Sequence, residues 1–281
     1  MPMFPPITRR NTGWRLFLQT VIGRSYPRTI GQQREKSWII FDVFLPLLSV
    51  ASYVFVYRAI HAPEDYIGFV VIGGAMTAFW MNILWGMSSQ LYWEKETGNL
   101  PLFIMAPGPL TGILLGMAVG GLVATTLRAG VIILLGSLLF QVSYVFSNLA
   151  SLLAVFFLCM AALYGLGMMT SSLFLLLSRE AYHLANLAQE PVYLISGFYF
   201  PIKSFPFWLA GVASVLPLTL GLDAMRQLSF SSGPSLGFLS VPLEIAILIG
   251  LTIVFLITAQ WLLKYIEKKA IREGRLTESR R

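Results

Sequence analysis

Few side chains in this sequence are of a kind that does covalent chemistry. Its 281 residues include two histidines and one cysteine. His61 and His183 are separated by long apolar runs and lack the short spacing of paired metal ligands. Cys159 lies inside one of those runs, where a lone thiol reads as a small buried hydrophobe and no intrachain disulfide can form. Glu94 and Glu96 are near enough for acid–base work, but positions i and i+2 of a helix do not share a face, so they read as solvated charges ending a span. No Gly-rich GxxxxGK(S/T) loop is present to hold a nucleotide's phosphates. No catalytic residue, no metal site and no cofactor bound by this chain is therefore expected.

The residues that need explaining are charges in apolar surroundings. Arg128 lies well inside the run from Leu110 to Tyr144, where an ionised side chain costs from about 2.5 to 17 kcal/mol unless it faces protein or water. Asp42, Glu190 and an acidic substrate are its alternative partners. A structural ion pair, a substrate path and snorkelling to an interface each remain open for it. Glu190, just before Pro191, either lines the same path or pairs internally. Asp223 and Arg226, three apart, are neighbours on one helix face, and a salt bridge between them is expected to pin an external helix against the last span.

The elements that must position these charges follow from composition. Hydrophobic residues make up 56% of the chain and charged residues 12%, against about 25% charged in an ordinary soluble domain. Lipid is the solvent such a chain needs, and a bilayer core of about 30 Å takes roughly 20 apolar residues per helix. The runs predict spans over 38–57, 66–92, 110–144 and 149–177, a fifth starting near Leu184, and a last over 238–263. The third amounts to roughly 50 Å of helix, so part of it must protrude or tilt.

Charge sets the topology. The net +7 comes from basic residues gathered at the two ends, seven up to Lys36 and seven from Lys264 onward. With Lys95 and Arg179, sixteen fall on one side of the six spans, against Arg58, Lys203 and Arg226 on the other. The positive-inside rule then makes both termini cytoplasmic in a multi-pass protein of the cell membrane. Neither basic end interleaves aromatics with its charges, so no nucleic-acid partner is expected, and no cleavable signal peptide is evident. The organisation expected is a cytoplasmic segment 1–36, a six-span domain 37–264 and a basic tail 265–281.

Two stretches break the regular pattern. Trp14, Phe17, Leu18, Val21 and Ile22 recur at helical spacing with Arg15, Gln19 and Arg24 on other faces and Pro27 closing the segment. This is either an interfacial helix, its arginines meeting anionic membrane lipid, or a helix packed on protein. Further on, "SGFYFPIKSFPFWLAGVASVLPLTLGLDAMRQL" is apolar but interrupted by Gly197, Pro201, Pro206 and Pro217. No single straight helix tolerates this, so the stretch is expected to stop, re-enter the outer leaflet and return, either covered by protein or lining a watery cavity.

Two motifs then carry a resemblance. The run "EKETGNLPLFIMAPGPLTGILLG", with Glu94, Lys95, Glu96, Gly98, Leu100, Pro107, Leu115 and Gly116, resembles the segment after the second span of type-2 ABC exporter permeases. The stretch with Ser196, Gly197, Phe200, Pro201, Pro206, Pro217, Asp223 and Arg226 is similar to that family's S-G-x-x-F-P, L-P and D-x-x-R pattern. Asn99, Pro101 and Met117 depart from the usual Thr, Glu and basic residue. The resemblance implies an all-α integral membrane protein with six transmembrane helices, an N-terminal interfacial helix, a cytoplasmic coupling helix and an external re-entrant helical hairpin. It implies a permease that dimerises with a second copy or paralogue and docks a separate ABC ATPase, which holds ATP and Mg, through the segment from Glu94. The implied cargo is amphipathic: a drug, a lipid or a lipid-linked glycan. An ATP-independent secondary transporter or channel would call for an intramembrane acid relay and inverted repeats, and neither is evident. A lipid-modifying enzyme would need a cluster of His, Asp or Cys at one interface, which the sequence does not show.

Overall fold

A chain without water around it must satisfy its backbone polar groups within each segment, and the computed structural model, which describes residues 13–34, 36–177 and 179–273, is accordingly built of helices. They are α1 (Trp14–Arg34), α2 (Lys36–Ala59), α3 (Asp65–Met81), a π-helical segment (Asn82–Ser88), α4 (Gln90–Glu96), α5 (Leu100–Met105), α6 (Leu110–Phe140) and α7 (Leu149–Leu177). There follow α8 (Arg179–Ile195), α9 (Phe207–Ala213), α10 (Pro217–Ser229), α11 (Gly233–Leu236) and α12 (Val241–Glu273). The turns after α2, α6 and α8 share one end of the bundle, here called distal; α4 and α5 form the proximal end.

Among the described residues five helices are long and apolar enough to cross a membrane: α2 from Ile40, the continuous run Asp65–Glu96, α6, α7 and α12 from Val241 to Ile266. A sixth is reached only if α9 and α10, bent by 108° at the break between them, count as one. The fifth span expected from Leu184 is the point of difference. Helix α8 has 17 residues, about 25 Å, and carries His183, Asn186, Gln189 and Glu190 among its apolar positions. It nonetheless joins the two ends: its Gln189 accepts a bond from Trp85 Nε1 of the π segment, and Tyr199 just beyond it accepts one from Tyr57 at the distal end of α2.

The run Asp65–Glu96 is the axis of the bundle. It is 78% buried, against 17% for the crossing windows of α2 and α12. Small residues let neighbours close on it. A Cβ on Gly73 would fall 1.5 Å from the carbonyl oxygen of Phe198, and one on Gly74 would fall 2.2 Å from Val50 of α2. The π segment interrupts the run where polar side chains take its carbonyls: Arg28 donates to Gly86 at 2.7 Å and the Ser89 hydroxyl to Trp85 at 2.6 Å.

Helix α1 does not stop at Pro27 but runs through it to Arg34. Packing against α6 outweighs the one backbone bond that proline removes. The two helices run side by side in the same direction along Gly108, Gly112, Gly116 and Gly120. A Cβ at Gly116 would lie 2.6 Å from the carbonyl of Val21, and one at Gly120 the same distance from that of Ser25. The apolar stripe read from the sequence is thereby divided: Phe17 and Val21 meet α6, while Trp14, Leu18 and Ile22 remain exposed.

Candidate functional site

At the proximal end, α4 closes with two backbone bonds that cap its last turn, from Asn99 N–H to Glu94 and from Gly98 N–H to Lys95, at 2.8 and 3.0 Å. This cap needs a residue in the left-handed region, and Gly98 supplies it with φ of +75°. Leu100 and Pro101 then start α5, which ends before Pro107. Leu100 is wholly buried and anchors the turn, whereas Trp93, Leu102 and Met105 are exposed, Met105 to 74%. The result is a short helix–turn–helix with an apolar outer face, with Gly98 in its turn and Pro107 just beyond its end.

The two acids of this segment differ. Glu96 is exposed, and Lys95 is half-buried. Glu94 is turned inward: Arg24 of α1 approaches it at 3.3 Å and Gln90 donates to it at 2.7 Å, while the Arg24 guanidinium also lies over the Phe103 ring at 5.0 Å. Helix α1 is thereby clamped to both α4 and α5. Its Arg28, whose grip on Gly86 is described above, is half-buried, and desolvation followed by the charge of Arg24 holds its pKa below the ordinary arginine value.

In the middle of the bundle Arg128 of α6 makes an ion pair with Asp42 of α2. Of the alternatives open from sequence, the internal acid is the partner. Glu190 is exposed on α8 and does not join this pair.

The distal end is organised around Arg226. Its guanidinium donates to four backbone carbonyls: Gly197 (2.6 Å), Phe198 (2.7 Å), Phe69 (2.9 Å) and Phe200 (3.4 Å). Gly197 allows the loop to curl around it by taking φ of +70°. The salt bridge expected between Asp223 and Arg226 is not among the ion pairs of the described residues. Asp223 instead accepts from Phe238 N–H at 2.7 Å and from Gln227 at 3.1 Å. The reason is demand: the carbonyls of Gly197, Phe198 and Phe200 take no other donor among the described residues, and a five-proton guanidinium satisfies several of them at once. Asp223 still fastens α10 toward the last helix, by backbone and amide partners.

Pro201 precedes a short 3-10 turn, Ile202–Ser204, Pro206 precedes α9, and Pro217 is the first residue of α10, where its missing N–H costs nothing. Every residue of α10 is buried. Its start touches Cys159, whose thiol donates to the Pro217 carbonyl at 3.4 Å, ten residues, or about 15 Å, down α7. Its end meets the α6–α7 turn, where Val145 and Ser147 N–H donate to the Ser229 and Leu228 carbonyls at 2.9 and 3.0 Å. Asp65 adds a bond from Ser232 N–H at 3.1 Å. Within the same turn, burial raises the pKa of the Tyr144 phenol, and the Ser137 hydrogen bond opposes it.

Sequence reasoning did not single out Arg28, Gln227, Glu244 or the π segment. The first and third carried a usable signal, a charge where apolar contacts dominate. The π segment carried none. Among the described residues no group of three or more His, Cys, Asp or Glu converges as metal ligands would.

Apolar spanning helices around a buried axial run describe a polytopic membrane protein. Residues 19–230 match the family model of the ABC-2 type transporter, and the chain belongs to that family. Over 139 residues it is 27% identical to the "Probable multidrug ABC transporter permease YbhR" of Escherichia coli strain K12, and equally to the protein of that name from Escherichia coli O157:H7. These alignments cover 48% of this chain and 36% of the relatives, so the chain spans little more than a third of the length of the curated relatives it matches.

Proposed function

We propose that the chain is the transmembrane subunit of an ATP-driven exporter, moving an amphipathic substrate out of the cytoplasm or inner leaflet of the cell membrane. It works with a separate ABC ATPase that holds ATP and Mg, and pairs with a second copy or a paralogue. Both termini are cytoplasmic, α1 lies at the membrane interface with its exposed apolar face in lipid, and α9 with α10 forms a re-entrant hairpin. The observation that carries this reading is the α4–α5 unit. An apolar tip of Trp93, Leu102 and Met105 has no place in water, and it sits between two long helices, where a push on it would move both. Family membership and the word "multidrug" in the relatives' names support the cargo class.

Exposure and pairing support a choice of side chains for meeting the ATPase. Glu94 is engaged by Arg24, so Glu96, Leu102 and Met105 are the docking residues. The test is reconstitution with the companion ATPase in vesicles, measuring nucleotide-dependent export. Leu102→Asp with Met105→Asp should cut export at least tenfold while the protein remains folded and membrane-inserted. Undiminished export in that variant, or cargo movement without nucleotide or ATPase, removes the proposal, the second outcome in favour of an ATP-independent carrier.

A further inference from the structure

Three buried side chains on α10 and α12 take no part in the α4–α5 unit. Glu244, in the first turn of α12, is 0% exposed, and Asp223 and Gln227 of α10 are 3% and 7% exposed. Gln227 Nε2 lies 2.7 Å from the Leu239 carbonyl, 3.1 Å from Asp223 Oδ2 and 3.3 Å from Glu244 Oε2. An amide nitrogen has two protons, so three acceptors share two donors. Among the described residues Glu244 Oε1 is buried with no donor against it, and the Glu244 and Asp223 carboxyl groups converge on the one Gln227 nitrogen.

Among the described residues no cation pairs with Glu244, and Lys203 is turned to the Ser235 carbonyl. Arg226 is spent on four carbonyls and its charge is felt by Asp223, on its own helix. Helix α7, packed along α12, has no charged residue from Leu149 to Leu177. On the α2 and α3 side, Tyr57 is bonded to the Tyr199 carbonyl and Asp65 to Ser232. Two ionised carboxylates facing each other in such a place repel strongly, and one of such a pair keeps its proton.

We propose that Asp223 and Glu244 form a proton-binding site, in which one proton carried by Glu244 bridges to Asp223 and fastens the distal hairpin to the last helix. The proton is placed on Glu244 because Oδ2 of Asp223 already accepts from two N–H groups. The proton has a route to water. A cavity of about 680 Å³ opens beside the site at the distal end, walled by Gln227, Leu239, Ser240 and Val241, so the medium on that side sets the occupancy.

Infrared difference spectroscopy of the purified protein in lipid nanodiscs tests this. The wild type should show the carbonyl stretch of a protonated carboxyl group near neutral pH, lost on alkalinisation and absent from Glu244→Gln. Because the fold holds a proton that the unfolded chain releases, wild-type stability should fall relative to Glu244→Gln as pH rises from about 6 to about 9, by up to tenfold in the folding equilibrium per pH unit. Should Glu244→Gln not fold, Asp223→Asn must shift the same band by changing the acceptor of its proton. A band unaltered in the variants, or its absence from the wild type, overturns the proposal. So does loss of wild-type stability when sodium is replaced by choline, with Glu244→Gln unaffected, since a metal cation would then fill the site.

Discussion

The two ends of the molecule are held by different kinds of contact. Distally, α10 is buried along its whole length and Arg226 alone ties two carbonyls of the 197–200 loop, a third near its end and one of α3. Proximally, α5 is anchored by a buried Leu100, while the α4–α5 unit is braced by one half-exposed ion pair, Arg24–Glu94, and a ring contact. Buried polar networks are costly to break one member at a time, whereas half-exposed ion pairs yield little when broken. By these contacts the distal end is the more firmly tied of the two.

The contrast can be broken most severely at Arg226. Arg226→Ala strands buried carbonyls that have no second donor, at about 1–3 kcal/mol each, and should lower the Tm in detergent more than any other change proposed here. Gly73→Ala is expected to act on the same loop, since the added carbon meets the Phe198 carbonyl at 1.5 Å and the backbone must shift.

The mid-bundle pair gives a smaller effect. Asp42 is 37% exposed at its side chain, so a double-mutant cycle of Asp42→Asn with Arg128→Gln should return a coupling of roughly 1 kcal/mol. A value near zero would separate α2 from α6 energetically. Glu94→Gln should cost about 0.5–1 kcal/mol, and hydrogen exchange should quicken in α4 and α5 while the distal helices are unchanged. Smallest of all is the effect of Leu102→Asp on stability, within about 0.5 kcal/mol, by thermal unfolding. A larger loss would mean that the exposed tip is part of the folded core.

Much of this contrast was legible in the sequence, unevenly. Gly98 and Pro107 bound the α5 turn because chain reversal and helix termination are local demands, met by residues with unusual backbone freedom or restriction. The breaks at Pro201, Pro206 and Pro217 were legible for the same reason. The direction of a charged side chain was not. Asp223 and Arg226 have the spacing of an ion pair, yet apart from Gln227, one turn along from Asp223, their partners lie 15 to 157 positions away, out of reach of any periodicity. Pro27 misled as a terminator, because the glycine face of α6 that holds α1 together past it is distant in sequence.

What the amino-acid order determined alone is the class: long apolar runs have nowhere to go but lipid, and lipid admits helices. Charge distribution and turn residues added the approximate spans and the two irregular stretches. Tertiary structure decided which helix is the axis, where α1 lies, and which carboxyl faces which donor. Those choices depend on close approach between segments far apart in the chain. Backbone sterics and solvation act on neighbours, but the satisfaction of a buried polar atom is settled by whatever the fold brings within 3 Å of it.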